Sequence, residues 1–172
     1  MTISNYDLAV GQMRHALKGL LHILEKGEAH ASESDIDPEV LLEARLAPDM
    51  RDFVFQVQVA TDVARRGIAR LAGTEAPSWP DEEKTFAELR ERVQNALDYF
   101  ETFTADQFED ADGRDIALPL RDQTHEMSGS DYLQCFIHPN VYFHISIAYA
   151  LLRKHGVELG KRDFLGSLTM QR

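Results

Sequence analysis

An all-α fold is predicted from this sequence: a four-helix bundle with one short extra helix and a small β-hairpin before the last helix. Three observations carry that expectation. Four segments repeat apolar residues at helical spacing. Glycine and proline punctuate the intervals between them. Only the stretch between Asp110 and Gly129 changes to a period of two. The 172 residues suit one domain, 1–172, long enough to bury about 70% of the unfolded surface. Residues 166–172 are expected to form a loose tail.

The first helix carries Tyr6, Val10, Met13, Leu17, Leu20, Leu21 and Leu24 on one stripe, and Gly27 is its expected stop. The polar linker "EAHASESD" follows. Asp37-Pro38-Glu39 then offers an N-cap oxygen, a proline at the first helical position and an acid facing the dipole. The resulting helix must be short, because "LLEARLAPD" soon meets Pro48. Asp49 and Asp52 open the second long helix, with Phe53, Val57, Ala60, Ala64, Ile68 and Leu71 inward and Gly73 at its end.

After the loop "TEAPSWPDEEK", Thr85 and Glu88 stand three apart, the spacing of a capping box. They launch the third helix, with Leu89, Val93, Leu97 and Phe100 inward. Thr104 and Gln107 repeat that spacing for a turn or two. In "RDIALPL", Ile116, Leu118 and Leu120 share one face and "THEM" returns beside it, with Pro119 restricting the hairpin to an edge. The fourth helix runs from Ser130 to Gly156, and Phe164 and Leu165 beyond it are candidates to tie the C-terminal segment to the bundle.

Composition narrows the function. A net charge of -11 opposes a nucleic-acid partner and docking on an anionic membrane surface. The opening "MTISNYDLAV" has no basic region followed by an apolar core, and no apolar run reaches the length of a bilayer span, so no membrane role is expected. Cys135 is the single cysteine, which excludes an internal disulfide and suits a cytoplasmic location. Without nearby basic residues it is expected to be a small buried side chain. GxGxxG, P-loop, GxSxG, CxxC and HExxH motifs are absent.

One constellation remains, in "HPNVYFH" at the start of the last helix. Asn140 and His144 lie about 40° apart on a helix surface, one turn apart, and can face one ligand. His138 and His144 diverge by about 120° and cannot share an ion on a regular helix, although Pro139 is expected to bend the helix locally. An amide oxygen is a weak ligand for zinc or nickel, so no metal is expected here. Gln56, Gln58 and Asp62 sit among apolar residues of the second helix, and Gln58 and Asp62 share a face. Turned toward His144, that face would complete a polar pocket; turned outward, it is a solvated edge. The alternative for His144 itself is a buried helix histidine hydrogen-bonded to an Asn or Gln. His15 and His22 read as a surface stripe, and Lys161-Arg162-Asp163 as an internally paired turn.

The stretches "LLEARLAPDM", "QVQVATD", "RLAG" and "YFHISIAYALLRKHGVELGKRDFLG", with the linker and hairpin layout, resemble a bacterial family of unknown function within the DinB/YfiT-like superfamily. The resemblance spans nearly the whole chain. It implies a four-helix bundle that commonly forms a homodimer. It also implies a site of three histidines, one on the second long helix and an HxxxH pair on the last, as in metal-dependent thiol transferases and hydrolase-like relatives. Carried onto this chain, the second histidine of the pair falls on His144, twelve before Gly156, and the first falls on Asn140. The helix-two histidine would fall near Gln58, where no histidine occurs.

The expectation is therefore a cytoplasmic, homodimeric DinB-like bundle with a degenerate metal site and no cofactor, its molecular function unassigned. One alternative is an enzyme, transferase- or hydrolase-like, binding a small polar substrate through Asn140, Gln58, Asp62 and His138, with His144 as the catalytic base. Another is a non-catalytic dimeric binding protein.

Overall fold

The computed structural model describes residues 3–168, so the last four residues of the expected tail lie outside the described residues. Helix α1 (Gln12–Glu33) follows a π-helical turn, Asp7–Gly11. The short α2 is Pro38–Leu42, α3 is Phe53–Leu71 and α4 is Phe86–Phe100. A 3₁₀ turn, Ala105–Phe108, leads to the hairpin β1 (Asp115–Leu120) and β2 (Gln123–Ser128). One turn, α5 (Gly129–Asp131), then continues through a π-helical turn, Tyr132–Ile137, into α6 (His138–Lys154). A last short helix, α7, is Lys161–Leu165.

Helix starts follow the sequence signals. The Asp37 side chain accepts from Glu39 N at 3.0 Å, and Asp52 accepts from Phe55 N at 3.0 Å. At α4, Thr85 Oγ1 accepts from Glu88 N while Glu88 accepts from Thr85 N, closing the capping box. Those donors hold the Glu88 carboxyl below its usual range, the backbone N–H of Lys84 contributing most.

Helix ends close by a shared device. Gly73 (φ 73°) ends α3 with Thr74 N bonded to Ala69 O, and Gly156 (φ 90°) ends α6 with Val157 N bonded to Leu152 O. Gly27 does not end α1, contrary to the sequence expectation. The helix runs on through part of the presumed linker, and Asp35 (φ 53°) takes the left-handed position, with Ile36 N bonded to Ala31 O at 2.9 Å. Gly27 instead permits close packing: a Cβ there would stand 3.0 Å from both Leu152 Cδ1 and Phe86 Cε1.

Around the bundle, α1 packs on α4, α4 on α3, α3 on α6, and α6 back on α1. The long helices therefore sit in the order first, third, second, fourth. The segment holding α2 crosses the bundle from α1 to α3, and the segment holding the hairpin crosses it from α4 to α6. Because α3 has a long neighbour on each side, it is buried on two faces. Phe53, Val57, Ala60, Ala64 and Ile68 are fully buried, and so are Thr61 and Arg65.

The hairpin pairs Ile116 with Met127 and Leu118 with His125. Ile116 and Leu118 are buried, but Leu120 at the tip is 39% exposed, so the expected three-residue apolar face is two residues deep. Helix α7 packs on α1. Asp163 accepts from Gly160 N and from Lys26 Nζ, and it bonds His22 Nε2 at 2.9 Å. The Gly160 N–H contributes most to holding its carboxyl far below the ordinary range. The stripe histidine His22 is thus a docking contact for the C-terminal segment.

Candidate functional site

Two chain irregularities shape the start of α6. Pro139 lacks an N–H and would crowd the carbonyl four residues earlier in a regular helix. The π-helical turn Tyr132–Ile137 widens the coil immediately before it, which accommodates the ring. In the other π-helical turn, Gln12 N bonds to Ala9 O and Asp7 O, bypassing Leu8 O. His138 fills that gap, its Nε2 donating to Leu8 O at 3.0 Å. Burial lowers its pKa, although the bond to Leu8 works the other way. His138 is thus engaged with the N-terminal turn and is not part of a cluster around His144. Cys135, within the π turn, is exposed rather than buried.

His144 faces α3. Its Nδ1 lies 2.7 Å from Gln56 Oε1. Gln56 is 2% exposed, and its Nε2 donates to Arg51 O at 3.0 Å. A carbonyl can only accept, so this bond fixes the amide with its oxygen toward the histidine. Nδ1 therefore carries the proton and Nε2 carries the lone pair. Burial lowers the pKa of His144, which keeps the ring neutral at pH 7. The rings of Phe55 and Phe143 meet it in T-shaped contacts, with centroids at 6.2 and 5.2 Å. The Arg51 guanidinium lies 4.4 Å from the Phe55 ring centre. No protein group among the described residues bonds Nε2. Asn140 stands one turn before His144, half-buried.

Gln58 and Asp62 lie elsewhere. Two residues from Gln56 is about 200° around a helix, so Gln58 points away from the α6 seam. Its Nε2 donates to Glu83 Oε2 at 2.9 Å. Asp62 bonds Arg65, Arg66 and Arg92 at 2.7–2.8 Å. Gln58 is 8% exposed, so this face is neither a solvated edge nor part of a pocket with His144; it is covered by Glu83 of the connection before α4 and by Arg92 of α4. The expected pocket joining Gln58, Asp62 and His144 is not formed. Clefts of about 290 and 410 Å³ flank the 74–83 segment, and His138, Asn140 and His144 line neither.

A charged seam between α3 and α4 has no counterpart among the sequence expectations. Arg92, 3% exposed, bonds Asp62, Asp81 and Glu83, donates through Nε to Thr61 Oγ1 and through Nη1 to Pro80 O. Burial opposes its charge, but these carboxylates outweigh it and leave the pKa above the ordinary arginine value. Arg65 is fully buried and stacks on Trp79 at 4.2 Å.

Residues 5–165 match the model of a domain of unknown function, DUF1993. The chain belongs to this family. A crystal structure of a DinB family member protein from Shewanella denitrificans superposes with a TM-score of 0.90 at 42% identity, covering 97% of this chain and 94% of that one. No curated protein matches. This DUF1993 chain is thus a DinB-like bundle, as its sequence resemblance implies.

The three-histidine metal site implied by that resemblance does not fit the residues present. His144 has its Nδ1 committed to the Gln56 amide, Asn140 one turn before it is a neutral amide, and α3 carries no histidine near Gln58 or elsewhere. One imidazole and two amide oxygens are a poor donor set for zinc or nickel. Among the described residues, no three His, Cys, Asp or Glu side chains group so as to hold a metal ion.

Proposed function

We propose that the α3–α6 seam of this DinB-like protein is a degenerate metal site turned to binding a small polar molecule, with His144 Nε2 as acceptor or general base. The observation that supports this reading is the relay from Arg51 O through Gln56 to His144 Nδ1. It orients the ring and leaves its basic nitrogen free, as a metal ligand or a catalytic base requires. The flanking Phe55 and Phe143 rings would supply apolar walls, with the Arg51 guanidinium over Phe55 and Asn140 one turn before His144 as the nearest candidates for polar contacts. A single exposed Cys135 suits a cytoplasmic setting.

Elemental analysis of protein purified without chelator, followed by an amide-shift screen with small polar fragments, tests the proposal. The expected result is substoichiometric zinc, nickel and iron, with fragment shifts confined to residues around Arg51, Phe55, Asn140 and His144 and lost in His144→Ala. One bound metal per chain, or shifts that persist in His144→Ala, would overturn it.

A second reading is favoured by the outer face of α6. Phe143 is 53% exposed, and Phe136 and Ile147 lie seven before and four after it on the same side, half-buried. The most apolar 18-residue window within Gly129–Lys154 has mean hydropathy 1.2 yet is only 39% buried, so the helix meets the length and composition of a membrane span. Its inner stripe of Val141, Ile145, Ala148 and Leu152 belongs to the bundle core, which supports a second copy of this chain, rather than lipid, on the outer one. Such a homodimer would place partner side chains beside His144.

A further inference from the structure

We propose that the cleft of about 410 Å³ between the second half of α3 and residues 74–78 binds a small multivalent oxyanion, such as a phosphate ester or a polycarboxylate. This site is separate from the His144 seam. Arg66 and Arg70 line it one helical turn apart on the same face. Arg66 spends one nitrogen on Asp62, and Arg70 spends Nη1 on Tyr132 OH at 2.8 Å. Their other guanidinium N–H groups have no protein acceptor among the described residues. Ser78 also lines the cleft, and the backbone N–H groups of Glu75, Ala76 and Ser78 make no hydrogen bond among the described residues.

The charge balance of this corner points the same way. Arg66 shares its one carboxylate, Asp62, with Arg65 and Arg92, although Arg92 is also paired with Asp81 and Glu83. Arg65, the fully buried neighbour of Arg66, keeps Nε and Nη1 unpartnered. Arg65 does not itself line the cleft, so its charge adds only a longer-range attraction to the forks of Arg66 and Arg70. The carbonyl end of α3, which would repel an anion, is closed. Ile68 O, Ala69 O and Arg70 O accept from Ala72, Thr74 and Gly73 N–H groups, and Leu71 O accepts from Arg114 Nη1. Guanidinium forks suit phosphate and carboxylate geometry, and the cleft has the volume of a small-ligand site. Glu75 is the one opposing charge in the lining.

Calorimetric titration at low salt with inorganic phosphate and with citrate tests the site. Trp79, adjoining Ser78 and the only tryptophan, gives a parallel fluorescence signal. Saturable binding of at least one probe is expected, weakened about tenfold in Arg66→Gln and in Arg70→Gln and tightened in Glu75→Gln. Binding of one probe alone identifies which oxyanion chemistry the cleft prefers. Because Arg70 also holds Tyr132, Arg66→Gln with an unchanged circular dichroism spectrum is the deciding variant. The proposal is overturned if neither probe binds saturably, or if Arg66→Gln binds as tightly as the wild-type protein.

Discussion

Which partner each histidine finds decides the chemistry at the start of α6. His138 and His144 are six apart on one helix and go to different neighbours, the Leu8 carbonyl and the Gln56 amide. Burial lowers both pKa values below the ordinary 6.5. The unfolded chain therefore takes up protons first as pH falls. The stability that the neutral rings contribute is complete above pH 6.5 and is lost as pH drops from there toward the folded-state values. Asp163 and Glu88, with lowered pKa values, lose their contribution only at and below their ordinary 3.8 and 4.5, so the two effects occupy separate ranges. Urea midpoints measured from about pH 7.5 to about pH 5.5 should fall, and the fall should be shallower in the His138→Gln/His144→Gln double variant. Equal slopes in the two proteins would refute this assignment. Residue phase explains what was legible here. Gln56, at i+3 from Phe53, lies within the apolar stripe of α3, so its inward direction was available from periodicity. Neither direction open to Gln58 and Asp62 in the sequence, toward His144 or toward solvent, is the one they take, because α3 buries a second face that a single apolar stripe does not reveal.

Elements are most legible in the sequence where a local signal decides the outcome. The Asp37, Asp52 and Thr85 caps and the Gly73 and Gly156 stops depend on backbone chemistry within a few residues, which a sequence displays directly. Gly27 misled because glycine serves two purposes, and its use in packing α1 on Leu152 and Phe86 depends on residues far along the chain. The α3–α4 seam stayed hidden for the same reason: Arg65 and Arg92 lie in charged helical sequence that reads as surface, and only the bundle buries them. This seam gives an element-level test. Arg92→Ala leaves Glu83 without its cation while Asp62 keeps Arg65 and Arg66, and because these carboxylates are part-buried the loss should approach, from below, the roughly 3–5 kcal/mol of a fully buried pair. Chemical denaturation of Arg92→Ala and of Glu82→Ala should separate them, with the latter close to wild type. A loss under about 1 kcal/mol in Arg92→Ala would mean that the network adds little.

For the whole molecule, the bundle class and its crossing connections follow from four stripes joined by long segments, whereas the helix order around the bundle depends on contacts that no stripe reveals. The outer face of α6 carries the oligomeric prediction. Sedimentation velocity should give a dimer for the wild-type protein and a monomer for Phe143→Glu, which places a charge in the apolar stripe. A wild-type monomer at high concentration would remove the second-copy reading while leaving the seam itself untouched. The seam rests on one chemical state, a neutral His144 ring with its proton on Nδ1 and a bare Nε2. Long-range nitrogen–proton correlation spectra of the imidazole at pH 7 read that state directly. A protonated Nδ1 beside an unprotonated Nε2 is expected, and a ring protonated on Nε2 or on both nitrogens would rule that state out.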